Sequence, residues 1–336
     1  MRYSVLLPFS TVKPQQLPAW ASVVERTGLE RLWEAQTVTV EPHQSFSHLA
    51  GAGHRIPLGM GVALMPFRHP FDAAVHATSL ARMSGPLVVG YGPGGRNLQE
   101  MLRGAPYRSP LTAAREYVTI LRDLVRGEAV DLSGEYFQCH GALGSGPSPR
   151  IEIALGVLRE KMARLAGETA DAAITWLTPA HYLRDTIVPA LREGRANAAG
   201  SVDEPASPRL ISIVPVGLER AGRTGAGLAR ASNSAHLRAP HYIDMLARAG
   251  IDVASATSPM EAAQTLVDGG GFVAGDIEKV VRGLKEFEAA GVDELVLNLT
   301  GVYNKVGPDK TLEELETILA AVGALDPIGS RLLTNR

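Results

Sequence analysis

Residues 59–95, GMGVALMPFRHPFDAAVHATSLARMSGPLVVGYGPGG, read as strand, glycine-bearing turn, helix, strand and a second glycine-rich turn. Gly59 and Gly61 interrupt the apolar run at 56–64, and glycines inside a buried strand mark a bulge or a close approach by another backbone or a ligand. Pro70 opens the helix where a missing N–H costs nothing. Ala74, Ala77, Leu80 and Ala81 recur at helical spacing, Ser84-Gly85-Pro86 ends the run, and 87–90 is a short apolar strand. Two apolar strands joined by a helix form a βαβ crossover, the repeating unit of a parallel sheet.

Outward from this unit the alternation repeats. Toward the N-terminus, 3–8 reads as a first strand, 17–26 as a helix closed by Gly28, and 31–34 as a second strand; 35–54 is a long connection containing Pro42. Beyond Gly95, 97–102 reads as a short helix. A strongly amphipathic helix follows at 110–126, with Leu111, Ala114, Tyr117, Val118, Leu121 and Val125 on one face. Residues 130–138 read as an extended excursion and 143–149 as a loop. Apolar strands recur at 151–154, 172–175 and 210–216, the first two each followed by a helix, and 197–208 is a polar loop. Residues 217–275 break the alternation, with one clear helix at 242–248, and read as an insertion after strand 7. A helix at 277–290, an eighth strand at 294–298 and a last helix at 312–324 complete the chain. Eight strands each feeding a helix is the count of a single (β/α)8 TIM barrel, an α/β fold that the 336 residues suit as one domain.

The composition, 45% hydrophobic and 20% charged, is that of a folded globular enzyme. A net charge of −2 offers no electrostatic footprint for nucleic acid or an anionic membrane. Cys139 is the single cysteine, which excludes an internal disulfide and a cysteine-rich metal site. With no apolar run of membrane-spanning length and no signal-peptide pattern, a cytoplasmic location is expected.

In a barrel the chemistry sits on loops that follow the strands. That rule selects Glu34 and Gln36 after strand two, residues 61–68 with His69 after strand three, 91–95 after strand four, 155–158 after strand five, and Trp176-Leu177 after strand six. Free N–H groups at helix starts beyond such loops can hold a phosphate. The ordinary reading of Glu34 is a solvated carboxylate, and that of His69 a helix-start residue. Gly92-Pro93-Gly94-Gly95 lacks the spacing of a dinucleotide fingerprint, and no Walker A lysine, nucleophile elbow or H-E-x-x-H pair is present. The nine histidines are scattered without ligand spacing, so no metal is expected. Asp293-Glu294 stands at the start of strand eight, on the stability face.

These runs resemble a family. Gly59-Met60-Gly61-Val62 with Arg68-His69-Pro70, Gly90-Tyr91-Gly92-Pro93-Gly94, Arg115-Glu116-Tyr117, Gly134-Glu135-Tyr136-Phe137, Ala154-Leu155-Gly156 and Ala289-Ala290-Gly291-Val292-Asp293-Glu294-Leu295 are similar, in order, to the bacterial luciferase-like flavin and deazaflavin oxidoreductases. The resemblance implies a (β/α)8 barrel and a flavin-type cofactor, coenzyme F420 or alternatively FMN, across the strand ends. In the deazaflavin branch it implies a cis peptide at Gly61-Val62, ring contacts at Tyr91 and Gly92, and phosphate held by backbone at Gly156-Val157-Leu158 and Trp176-Leu177, with Ala154, Leu155 and Thr175 leading into these loops. Where many deazaflavin members carry an Asp-His pair, this chain has Glu34-Ala35-Gln36.

The function so implied is hydride transfer between F420 and a small uncharged organic substrate bearing an activated C=C, C=N or carbonyl group. Glu34, Gln36 and His69 are the catalytic candidates, on a rim completed by Phe9, Trp176 and the 217–275 segment. The alternatives are an FMN-dependent monooxygenase using O2 and a non-catalytic ligand-binding member. Expected partners are the small-molecule substrate and a second copy of the chain in a homodimer.

Overall fold

The computed structural model describes residues 1–8, 13–144, 150–198 and 208–325. Eight strands carry the fold: β1 Arg2–Leu6, β2 Leu32–Glu34, β3 Leu58–Leu64, β4 Leu87–Gly92, β5 Ile151–Gly156, β6 Ala172–Trp176, β7 Arg209–Leu218 and β8 Glu294–Asn298. Their order is β7-β8-β1-β2-β3-β4-β5-β6, and β7 also pairs with β6, which is the topology of a closed (β/α)8 barrel. β1 runs parallel to β8 and β2, and β3 to β6 run parallel in succession. Strands buried on both faces are expected to be continuously apolar. β4 and β8 are buried along their whole length.

The chain divides into two compact units. One comprises Glu34–Thr175 and Thr186–Ile211. In it the helix Pro70–Ser84 starts at Pro70, and the helix Pro110–Val125 buries Tyr117, Val118, Ile120 and Leu121. A helix at Pro42–Gly51 replaces the expected long connection: Pro42 is its first residue, and Glu41 caps it by accepting from Gln44 N at 3.3 Å. His43 and His48 therefore lie within a helix. The expected excursion at 130–138 is an antiparallel hairpin, Val130–Ser133 with Gln138–Gly141. Its turn is held by the Glu116 carboxylate, which accepts from the N–H groups of Glu135, Tyr136 and Phe137. Residues 145–149 and 199–207, read from sequence as loops, lie outside the described residues.

The other unit comprises Met1–Trp33, Trp176–Asp185 and Ser212–Arg336. Its 217–275 segment holds three helices, Gly225–Asn233, Pro240–Arg248 and Pro259–Asp268, where the sequence suggested one, and a short strand, Val273–Gly275, parallel to β7. Thr224 and Ser258 cap two of those helices through N–H groups three residues on. The last helix spans Thr300–Ala321 and is broken at Gly307, before Pro308. Among the described residues no helix is long and apolar enough to cross a membrane.

Candidate active site

β3 is irregular where its glycines predict it. Met60 pairs with Val89 and Ala63 with Tyr91, so β3 carries one residue more than β4 between those points. The Gly61–Val62 peptide within this bulge is cis. Gln36 straps it: its N–H donates to Val62 O at 3.2 Å, and its Oε1 accepts from Leu64 N at 2.7 Å. Gln36, a catalytic candidate from the sequence, makes both of these bonds to the strand.

The Val62 side chain fills space left by glycines on the neighbouring strands. A Cβ placed on Gly92 would stand 3.2 Å from Val62 Cγ2, and one on Gly156 3.2 Å from Val62 Cγ1. At Gly90 a Cβ would lie 3.1 Å from Val62 Cγ1 and within 2.3 Å of Ile174 Cδ1. Three of the glycines on β4 and β5 thus make room for one β-branched side chain. Tyr91, between two of them, is fully buried with its hydroxyl unpartnered, its ring 5.0 Å from that of Tyr117. Burial pushes both phenols far above their usual range.

Glu34 is the last residue of β2 and is 1% exposed, not solvated. Neither carboxyl oxygen has a hydrogen-bond partner. Burial pushes its pKa up to about 7; the nearby Ser45 hydroxyl, itself unpartnered, eases the shift and the Glu41 carboxylate adds to it. Ser45 reaches this position because the helix Pro42–Gly51 buries Pro42, His43, Ser45 and Phe46. Glu41 is the better-served carboxylate: burial works against its ionisation, but His43 Nδ1 at 2.9 Å, Arg68 Nη2 at 2.8 Å and the Gln44 N–H hold it below the usual range. Arg68 closes the 61–68 stretch that the sequence selected, whereas Ser45, Glu41 and His43 are contributors that it did not suggest. The signal for them was Pro42 as a helix opener.

His69 stands apart. Its Nδ1 accepts from Phe71 N at 3.2 Å, capping the helix Pro70–Ser84, and its ring lies 6.1 Å from that of Phe137. At the end of β5, Ala154 and Leu155 pair with Gly90 and Tyr91. Val157 N–H donates to Ile174 O at 2.7 Å, so it belongs to the sheet ladder. Leu158 follows it, and the helix Glu160–Thr169 then begins at Arg159, whose side chain makes no cap bond. The first N–H groups of that helix are thus not capped by the Arg159 side chain. Thr175 is buried near the end of β6.

In the second unit, Trp176 ends β6 and stacks on His236, with ring centroids 5.4 Å apart and planes 25° apart. Leu177 follows in the left-handed region at φ 57° with its side chain in the core. Phe9 lies outside the described residues.

The family model described as luciferase-like monooxygenase matches residues 1–294. The chain is 26% identical over 160 residues to the 5,10-methylenetetrahydromethanopterin reductase of Methanolobus tindarius, a match covering 46% of this chain and 48% of that protein. It is 30% identical over 161 residues to the F420-dependent glucose-6-phosphate dehydrogenase of Mycobacterium avium (strain 104), covering 45% and 47% respectively. The chain thus spans about half the length of the curated relatives it matches. Among solved structures, the coenzyme F420-dependent tetrahydromethanopterin reductase from Methanopyrus kandleri aligns with a TM-score of 0.69 at 21% identity, over 95% of this chain and 97% of that one, and shares its fold.

Proposed function

The chain belongs to the luciferase-like monooxygenase family, and from that premise we propose that it is an oxidoreductase passing a hydride between coenzyme F420 and a small, uncharged organic substrate. Two of the relatives named above are F420-dependent by name. The residues present fit such a cofactor. Gly61, Val62, Tyr91 and Gly92 would lie along its ring, and Leu158 with the uncapped start of the helix Glu160–Thr169 would hold its phosphate. When bound, the deazaflavin supplies or takes up a hydride.

The observation that carries the chemical reading is Glu34. A hydride added to an activated C=C, C=N or C=O bond leaves an electron pair that a proton must quench. Burial pushes the Glu34 pKa up to about 7, so this carboxyl can carry that proton near neutral pH. A proton affinity near the working pH is what a general acid needs in one direction and a general base in the other. Gln36 is a positioning residue, keeping the bulge of β3 in register through Val62 O and Leu64 N.

The test is to titrate the purified protein with F420 and with FMN, then to follow oxidation of reduced F420 against a panel of enones, imines, ketones and glucose 6-phosphate. Micromolar F420 binding and turnover of an uncharged acceptor are expected. Binding of FMN alone with O2 consumption would replace this reading with the monooxygenase one. Turnover confined to glucose 6-phosphate would overturn the substrate class.

A further inference from the structure

The turn after β6 is built to aim one aromatic side chain. Leu177 adopts φ 57° although it is not a glycine, a conformation that side chains with a Cβ disfavour. It is held there because its side chain is 1% exposed and because Gly271 passes close to its carbonyl. A Cβ on Gly271 would lie 3.3 Å from Leu177 O and 2.4 Å from Leu266 Cδ1. The residue fixed by this turn is Trp176, the only part-exposed tryptophan, since Trp20 and Trp33 are both at 0%.

Trp176 does not stand alone. His236 lies against its ring in a stacked arrangement, and Tyr242 meets His236 edge-on with centroids 4.9 Å apart. His236 comes from the short turn His236–Arg238 and Tyr242 from the helix Pro240–Arg248, so the 217–275 segment supplies both. Burial lowers the pKa of His236 to about 4, with His241 adding to the effect, which leaves a neutral imidazole at neutral pH. Two nitrogens in this stack, Trp176 Nε1 and His236 Nδ1, are covered and have no hydrogen-bond partner. A covered polar group left without a partner is disfavoured, and each needs an explanation in a native site.

We infer that Trp176, His236 and Tyr242 form the wall that recognises the substrate, and that the substrate is a planar, uncharged carbonyl compound stacked on these rings with its oxygen accepting from Trp176 Nε1. The inference rests on the oxidoreductase reading above and names its substrate class. Stacked rings bind flat π-systems through their faces, and the unpartnered indole N–H adds one polar requirement. A neutral imidazole provides no charge to hold a phosphate ester. These three rings therefore offer a sugar phosphate no counter-charge.

The experiment needs no cofactor in its first arm. Cyclohex-2-en-1-one and glucose 6-phosphate are titrated into the apo protein, following intrinsic fluorescence and calorimetry. Trp20 and Trp33 are buried, so a quench lost in Trp176→Phe reports the wall. The enone is expected to bind and quench, and glucose 6-phosphate to do neither. Trp176→Ala should weaken enone binding at least about tenfold, and Trp176→Phe, which keeps a ring but loses the N–H, about threefold to tenfold. His236→Ala should act between the two. A second arm measures F420 affinity and the KM for the enone in Trp176→Phe: KM rises while F420 affinity stays within about twofold. If all variants bind the enone as the wild type does, or if glucose 6-phosphate binds the apo protein in its place, the inference is overturned. If F420 fails to bind a wild type whose Trp176 still reports the enone, the oxidoreductase reading fails and the wall stands.

Discussion

Two buried glutamates occupy equivalent places at opposite ends of their own strands and lead opposite lives. Glu294, first residue of β8, is 0% exposed, and one of its oxygens accepts from Ser4 Oγ at 2.7 Å, Arg31 Nε at 2.9 Å and Trp33 Nε1 at 2.9 Å. Glu34, last residue of β2, is buried almost as completely and has no hydrogen-bond partner on either oxygen. The first is a charge that the fold has surrounded with donors, and the second is a proton that the fold has left available. In a barrel, the strand starts carry stability and the strand ends carry chemistry. The bonding of these two side chains, more than their burial, separates them, and on the reading proposed above it follows that division.

The contrast breaks most visibly on stability. Glu294→Ala leaves the buried Arg31 guanidinium without its main counter-charge and should cost about 3–5 kcal/mol by chemical denaturation. A loss under about 1 kcal/mol would mean that the cluster is solvated in solution. Glu34→Gln should be the opposite case, with no loss of stability at neutral pH.

The second effect is a pH dependence that Glu34→Gln removes. Glu34 titrates near the ordinary 4.5 when unfolded and near 7 when folded. Below both values the carboxyl is protonated in both states and contributes nothing. Between them the folded state keeps a proton that the unfolded chain has released, so stability falls as pH rises. Above about pH 7 the penalty is constant at about 3 kcal/mol. Wild type minus Glu34→Gln, measured in urea from pH 4.5 to pH 8, should fall by up to that amount, and a flat difference would place Glu34 in water.

The smallest effect tests the socket. Gly92→Ala and Gly156→Ala should each cost about 1 kcal/mol through Val62. Combined with Val62→Ala, each should show a favourable coupling of about 0.5–1 kcal/mol in a double-mutant cycle, since the clashing methyls are gone. Zero coupling at Gly156 would assign that glycine to its backbone N–H alone.

The barrel itself was legible because its strands are apolar runs punctuated by glycine and proline, and the bulge of β3 because Gly59 and Gly61 interrupt such a run. What escaped was structure fixed from a distance. The turn of the hairpin Val130–Ser133 with Gln138–Gly141 is held by Glu116 on the preceding helix, which no local pattern reveals. The helix Gly225–Asn233 is rich in glycine and alanine and the helix Pro259–Asp268 spans only ten residues, although Thr224 and Ser258 cap them. For the site, the position of Glu34 was readable and its burial was not. That burial depends on the helix Pro42–Gly51, where a proline taken as an interruption is the helix opener. His236 and Tyr242 carry no motif and join Trp176 only through the fold.

The central claim is that Glu34 holds the proton that accompanies hydride transfer. It is tested most directly by single-turnover oxidation of reduced F420 with cyclohex-2-en-1-one, in wild type and Glu34→Gln, across about pH 5 to pH 9. The wild-type rate should be level at low pH and fall about tenfold per pH unit above about 7, as Glu34 loses its proton. Glu34→Gln should bind F420 normally, react at least about a hundredfold more slowly and show no break near pH 7. A Glu34→Gln protein with the wild-type rate and the same break would contradict the account.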